Sequence, residues 1–194
     1  MRLILASAFA LVPTLALAHA GHGDTAGFLH GFQHPLSGID HVLAMVAVGI
    51  FAYVLGGRAL LLVPMAFVAM MAAGFLVGVN GISVPFVELG IALSSIVIGA
   101  AAAWGKPVPV TAAISLVGAF AVFHGVAHGT EMPAAGSGLT YGLGFVTATV
   151  ALHAAGMLAA LGVASLIGRN GHRAAQLAGG LFAIGGVGVL AGWL

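Results

Sequence analysis

Six times the chain runs for roughly the length of a bilayer-crossing helix on apolar side chains, and its few Lys and Arg residues all lie outside those runs. Lipid offers no hydrogen-bonding partners, so a backbone crossing it must satisfy its own polar groups, as an α-helix does residue by residue. The expected fold is therefore all-α: a polytopic membrane protein built as a compact bundle of six transmembrane helices. With 61% hydrophobic and 5% charged residues and a mean hydropathy of +1.20, a water-soluble domain is excluded. The spans read as residues 35–55, 59–79, 85–104, 108–129, 139–167 and 174–194. They are punctuated by Gly56-Gly57-Arg58, Asn80-Gly81, Gly105-Lys106-Pro107, a loop holding Glu131 and Pro133, and Arg169 to Arg173. The fifth run exceeds what a bilayer needs, which implies tilt or a late start.

The first residues have another use. Arg2 gives a positive start, residues 3–17 an apolar core, and Ala16-Leu17-Ala18 a small-x-small cleavage site. A cleaved secretory signal of residues 1–18 is expected, with a second acceptable cut after Ala20, leaving 19–194 as one domain. Residues 19–33 then read as a short polar lead carrying His19, His22, Asp24 and His30. Basic residues fix the orientation: Arg58, Lys106, Arg169 and Arg173 follow the first, third and fifth spans, while the alternate loops carry none. The positive-inside rule makes their side cytoplasmic and puts both mature termini in the periplasm, across a bacterial inner membrane.

Against this apolar background the ionisable residues cluster. The chain has nine His, four acids and no Cys, which removes disulfides and thiolate metal sites. One cluster is His34-Pro-Leu-Ser-Gly38-Ile-Asp40-His41, with Met45 four residues on. Pro35 biases His34 out of the helical region, toward the cap of the first span. His34, Gly38, His41 and Met45 follow helical steps along one stripe, with Asp40 about 100° away. Asp40 either reaches a ligand on a different helix or orients a ligating imidazole from behind. The other cluster is Phe123-His124-Gly-Val-Ala-His128-Gly-Thr-Glu131, whose three polar groups share one helix face. At 1.5 Å per residue, His41 lies about 9 Å beyond Pro35 and His124 about 10 Å before Glu131. With the two spans antiparallel, the clusters fall at matching depth near the outer face. Imidazole and carboxylate suit late first-row divalent ions, whereas Cu(I) favours sulfur and Mg or Ca favour oxygen.

These two motifs resemble the paired signature of the HupE/UreJ family of bacterial nickel/cobalt permeases, and the likeness runs over essentially the whole chain. The resemblance implies import of Ni²⁺, or Co²⁺, for hydrogenase or urease maturation. It assigns metal-binding roles to His34, Asp40, His41, His124, His128 and Glu131. His30, Met45 and His153 are secondary candidates. His153 is read either as a second station on the ion path or as a histidine bonded to a neighbouring helix. Glu88 is read as a first-turn charge favoured by the helix dipole, and His172 as a solvated loop residue. The expected partners are the transported ion and the lipid bilayer, with no tightly bound cofactor and no nucleic acid, and a homo-oligomer is allowed. No P-loop is present, so the chain is not expected to hydrolyse ATP or to be an enzyme. Titrating imidazoles offer a means of coupling uptake to pH. The rival is an intramembrane zinc-dependent hydrolase acting on a lipid, with Asp40 or Glu131 as general base, which the shortage of further polar groups argues against. A metal-sensing or metal-storing membrane accessory is a third reading.

Overall fold

The computed structural model describes residues 23–133 and 137–194. The expected signal peptide, its cleavage site, His19 and His22 lie outside these residues. The described chain forms α1 (Gly23–Ser37), α2 (Ile39–Leu55), α3 (Ala59–Val79), α4 (Val87–Trp104), α5 (Val110–Thr130) and α6 (Gly138–Ile167). A 3-10 turn, Gly168–Asn170, leads into α7 (Gly171–Leu190), and among the described residues there are no strands.

Among the described residues four stretches are long and apolar enough to cross a membrane: α3, α4, α5, and the run from Gly138 to Leu190. The bent pair of α1 and α2 makes a fifth. The run from Gly138 to Leu190 is 53 residues, about 80 Å of helix against a hydrocarbon core of about 30 Å. It is broken at Gly168, whose φ of 63° lies in the left-handed region, and α7 folds back to pack on α6. Large apolar side chains such as Leu61, Leu76 and Leu181 stand exposed on the outside. In water such a surface would drive aggregation, whereas in a bilayer it faces acyl chains. The chain is a multi-pass membrane protein.

The beginning of the first span departs from the sequence expectation. Residues expected as a loose polar lead are helical from Gly23, and Pro35 lies inside α1 rather than opening the membrane helix. His34 accordingly sits in the last turn of α1, not at the cap of the following helix. Proline costs α1 one late backbone hydrogen bond, and the helix ends two residues later, where Ser37 Oγ donates to the His34 carbonyl at 2.7 Å. Gly38 is extended (φ −96°, ψ 117°), and the chain turns by 84° into α2. The single stripe from His34 to Met45 therefore does not exist, because its two halves belong to differently directed helices. At the other end, His172 and Arg173 open α7 rather than lying in a loop. The His172 ring is tilted against Tyr53 at 6.5 Å.

Helix α2 is the hub: ten of its 17 residues are buried, and it packs against α3, α4, α6 and α7. Around it, pairs of glycines allow backbones to approach where lipid supplies no hydrophobic drive for association. A Cβ on Gly74 or Gly78 of α3 would run into the Val122 or Val126 carbonyl of α5. One on Gly125 or Gly129 of α5 would strike the Met71 or Phe75 carbonyl of α3. The same reciprocity joins α2 to α6 through Gly49 and Gly156, and α1 to α6 through Gly31 and Gly144. These clasps hold the helices that carry the histidines: α1 for His34, α2 for His41, α5 for His124 and His128.

Candidate metal-ion site

The bend at Gly38 turns the His34 ring toward the bundle, to a centroid distance of 5.0 Å from His128 and 6.5 Å from His41. His128 is 5.1 Å from His41, and His41 is 4.9 Å from His124. The four imidazoles form a file running inward from Glu131, whose Oε2 accepts from His34 Nε2 at 2.8 Å. The file leaves solvent after its first ring. His34 is partly exposed, His41 is 9% exposed, and His124 and His128 are fully buried. Three helices, α1 and α2 from the first motif and α5 from the second, thus bring a file of polar side chains into an otherwise apolar core.

Which ring nitrogen carries a lone pair follows from the second partner of each imidazole. Asp40 Oδ1 accepts both the His41 backbone N–H at 2.8 Å and His41 Nδ1–H at 3.0 Å. Of the two roles left open for Asp40, the structure favours orientation: it holds its neighbour's ring and satisfies a first-turn amide of α2. A carboxylate only accepts, so the proton sits on Nδ1 and the lone pair on His41 Nε2, which is buried without a partner. A Cβ at Gly38 would come within 2.7 Å of Asp40 Oδ1, so a larger residue there would push the carboxylate that holds the His41 ring.

His124 is set in the same way by a residue that sequence reasoning missed. Ser94 of α4 donates its hydroxyl to the Ile91 carbonyl at 2.6 Å, so its oxygen accepts from His124 Nε2–H at 2.9 Å. His124 Nδ1 is left as a buried, unpartnered lone pair. The signal was present in the sequence: Ser94 and Ser95 are a polar pair in the middle of an apolar span, and a buried hydroxyl there needs a purpose. Replacing Ser94 by Ala frees the His124 ring to rotate and exchange tautomers. The expected result is a roughly 10-fold drop in metal affinity or uptake, restored by Ser94→Thr, as measured by isotope uptake with protein amounts matched.

His128 stacks flat on Phe145, 4.8 Å between centroids and 12° between planes, and both its nitrogens are unpartnered. The Tyr141 hydroxyl is also buried without a partner, with its ring 6.1 Å from His34. Leaving such groups unsatisfied in an apolar interior costs about 1–3 kcal/mol each. Among the described residues no three His or acidic side chains converge as a closed metal cage. The rings succeed one another along a file instead.

The remaining expected residues lie apart. His30 is exposed on α1, 6.0 Å from the Tyr141 ring. Met45 is fully buried in the apolar core, one turn below His41. Glu88 is exposed in the first turn of α4, where its side chain makes no capping hydrogen bond. His153 is buried on α6, against the Phe67 ring that also contacts His124: the Phe67 centroid is 5.5 Å from His124 and 5.1 Å from His153.

Fold and site together define a multi-pass helical membrane protein with an intramembrane file of histidines. The chain matches the family described as HupE / UreJ protein over residues 7–189. It is 45% identical over 183 residues to Protein HupE of Rhizobium leguminosarum bv. viciae, a match that covers 93% of each chain. No solved structure matches it. The chain belongs to the HupE/UreJ family of hydrogenase and urease accessory membrane proteins.

Proposed function

We propose that the protein imports Ni²⁺, with Co²⁺ as its alternative cargo, from the periplasm to the cytoplasm to supply hydrogenase or urease maturation. In this reading α1 with α2, and each of α3 to α7, make six crossings of a bacterial inner membrane. Arg58, Lys106, Arg169 and Arg173 lie inside, and both mature termini lie outside. The observation that carries the proposal is the pair of lone pairs fixed by hydrogen bonds behind them: His41 Nε2 by Asp40, and His124 Nδ1 by Ser94. A neutral imidazole backed by a carboxylate or hydroxyl is a ligand for a late first-row divalent ion.

The outer pair of His34 and Glu131 meets the hydrated ion first. Glu131 is half exposed and supplies charge at the mouth, and His34 exchanges its hydrogen bond for the metal. His128, His41 and His124 then replace water in turn. A few imidazoles at a time bind weakly enough for the ion to move on, which a tetrahedral cage would prevent.

Uptake of ⁶³Ni by cells expressing the chain tests the proposal. Accumulation is expected to rise above that of cells without it. Excess Co²⁺ should compete and excess Mg²⁺ should not, since Mg²⁺ prefers oxygen ligands and keeps its waters. Equal accumulation with and without the protein would overturn it.

A further inference from the structure

We infer that the ion has a second, inner station at His153, against the Phe67 ring that also contacts His124 of the outer file; the inference rests on the transport reading above. His153 is 1% exposed, and neither of its ring nitrogens has a partner. The possibility that it bonds a neighbouring helix is thereby removed among the described residues. Thr149, one turn before it on α6, is fully buried and donates to Met71 Sδ at 3.6 Å. Phe67 and Met71, one turn apart on α3, therefore face Thr149 and His153 on α6. A hydroxyl and a thioether thus meet one helical turn along α6 from the unpartnered imidazole, and these donor types suit a late first-row divalent ion better than Mg²⁺.

Position gives this group its role. Phe67 is fully buried and its ring is in contact with both His124 and His153, so it adjoins the step from one imidazole to the other. A cation making that step passes beside an aromatic ring, whose face can favour the charge. Beside His153 an apolar cavity of about 380 Å³ opens between α3 and α6, lined by Leu61, Pro64, Met65, Val150, Ala154 and Met157 as well as His153 itself; Leu61, Met65 and Val150 stand exposed on the outer surface of the bundle, so the cavity opens toward the acyl chains. It lies toward the start of α3, just after Arg58, the side that the basic loops make cytoplasmic. Apart from His153 its lining is apolar, so an ion at this station is held by His153 and not by the cavity.

The test uses the full chain, purified and reconstituted in liposomes holding a Ni²⁺-responsive dye. His153→Leu keeps the volume apolar and removes the orphaned nitrogens. Ni²⁺ flux is expected to fall by about tenfold or more, while thermal stability is unchanged or raised and the number of Ni²⁺ bound per chain drops. Wild-type flux and stoichiometry in His153→Leu would overturn the inner station. A second readout does not depend on that variant folding. The chain has no Cys, so Ala154→Cys is a unique reporter of the cavity. Ni²⁺ should slow its modification by a membrane-permeant thiol reagent, and equal labelling with and without Ni²⁺ would overturn the station. His124→Ala separates the two claims. If it is inactive while His153→Leu runs at the wild-type rate, only the inner station fails; if it also runs at the wild-type rate, the transport reading fails with it.

Discussion

Cells expressing His41→Ala or His124→Ala should accumulate ⁶³Ni at the level of cells lacking the protein, with the variants present in the membrane in normal amounts. Both substitutions remove a lone pair whose direction is fixed from behind, at His41 by Asp40 and at His124 by Ser94. Loss of such an orienting partner alone costs about 10–100-fold at a metal ligand, so loss of the ligand itself costs at least as much. Stability should change little or improve. The imidazole at 124 is fully buried with one nitrogen unpartnered, and removing an unsatisfied polar atom offsets part of the cavity left behind. Asp40→Asn should fall between these variants and wild type, since an amide oxygen still accepts from His41 Nδ1 but carries no charge. Uptake by His41→Ala and His124→Ala equal to wild type would show that the file is not the ion path.

Gly125→Ala should abolish uptake by a different route. This glycine stands beside His124 inside the same motif, yet it touches no imidazole: a Cβ there meets the Met71 carbonyl and lies 2.7 Å from the Phe75 amide nitrogen. Backbone cannot yield as the end of a flexible side chain can, so α3 and α5 must part. Overpacking of this kind costs about 1–3 kcal/mol, occasionally more. The expected signature is a lower melting temperature and less protein in the membrane, in contrast to His124→Ala. A Gly125→Ala variant with normal abundance and melting temperature but no uptake would mean that the glycine serves the ion directly and not the helix contact.

That contrast bears on what the sequence made legible. Helical character and the places where spans end could be read from apolar run lengths and from Asn80-Gly81 or Gly105-Lys106-Pro107, because lipid leaves a backbone so few options. The shared depth of His41 and His124 was legible too, since rise per residue turns sequence offsets into distances. The bend at Gly38 was not. Pro35 was read as a helix opener because that is where proline is best tolerated. In the fold it sits near the end of α1, where close packing of Gly31 against the Tyr141 backbone of α6 holds a helix that its polar composition alone would not. Asp40 was ambiguous because a direction around a helix says nothing about an adjacent residue's ring. Ser94, Phe67, Phe145 and Tyr141 escaped notice for a common reason. Each lies far in sequence from the histidine it faces, so only tertiary packing pairs them.

The central claim is that a divalent ion crosses the bilayer along the imidazole file, and flux through purified protein tests it most directly. Liposomes carrying only this chain, loaded with a Ni²⁺-responsive dye, are exposed to external Ni²⁺. Wild-type protein should give a saturable rise in signal, and the His41→Ala/His124→Ala double variant should give only the leak of empty liposomes. Equal rates for the wild type and the double variant, or no flux above leak for the wild type, would contradict the account.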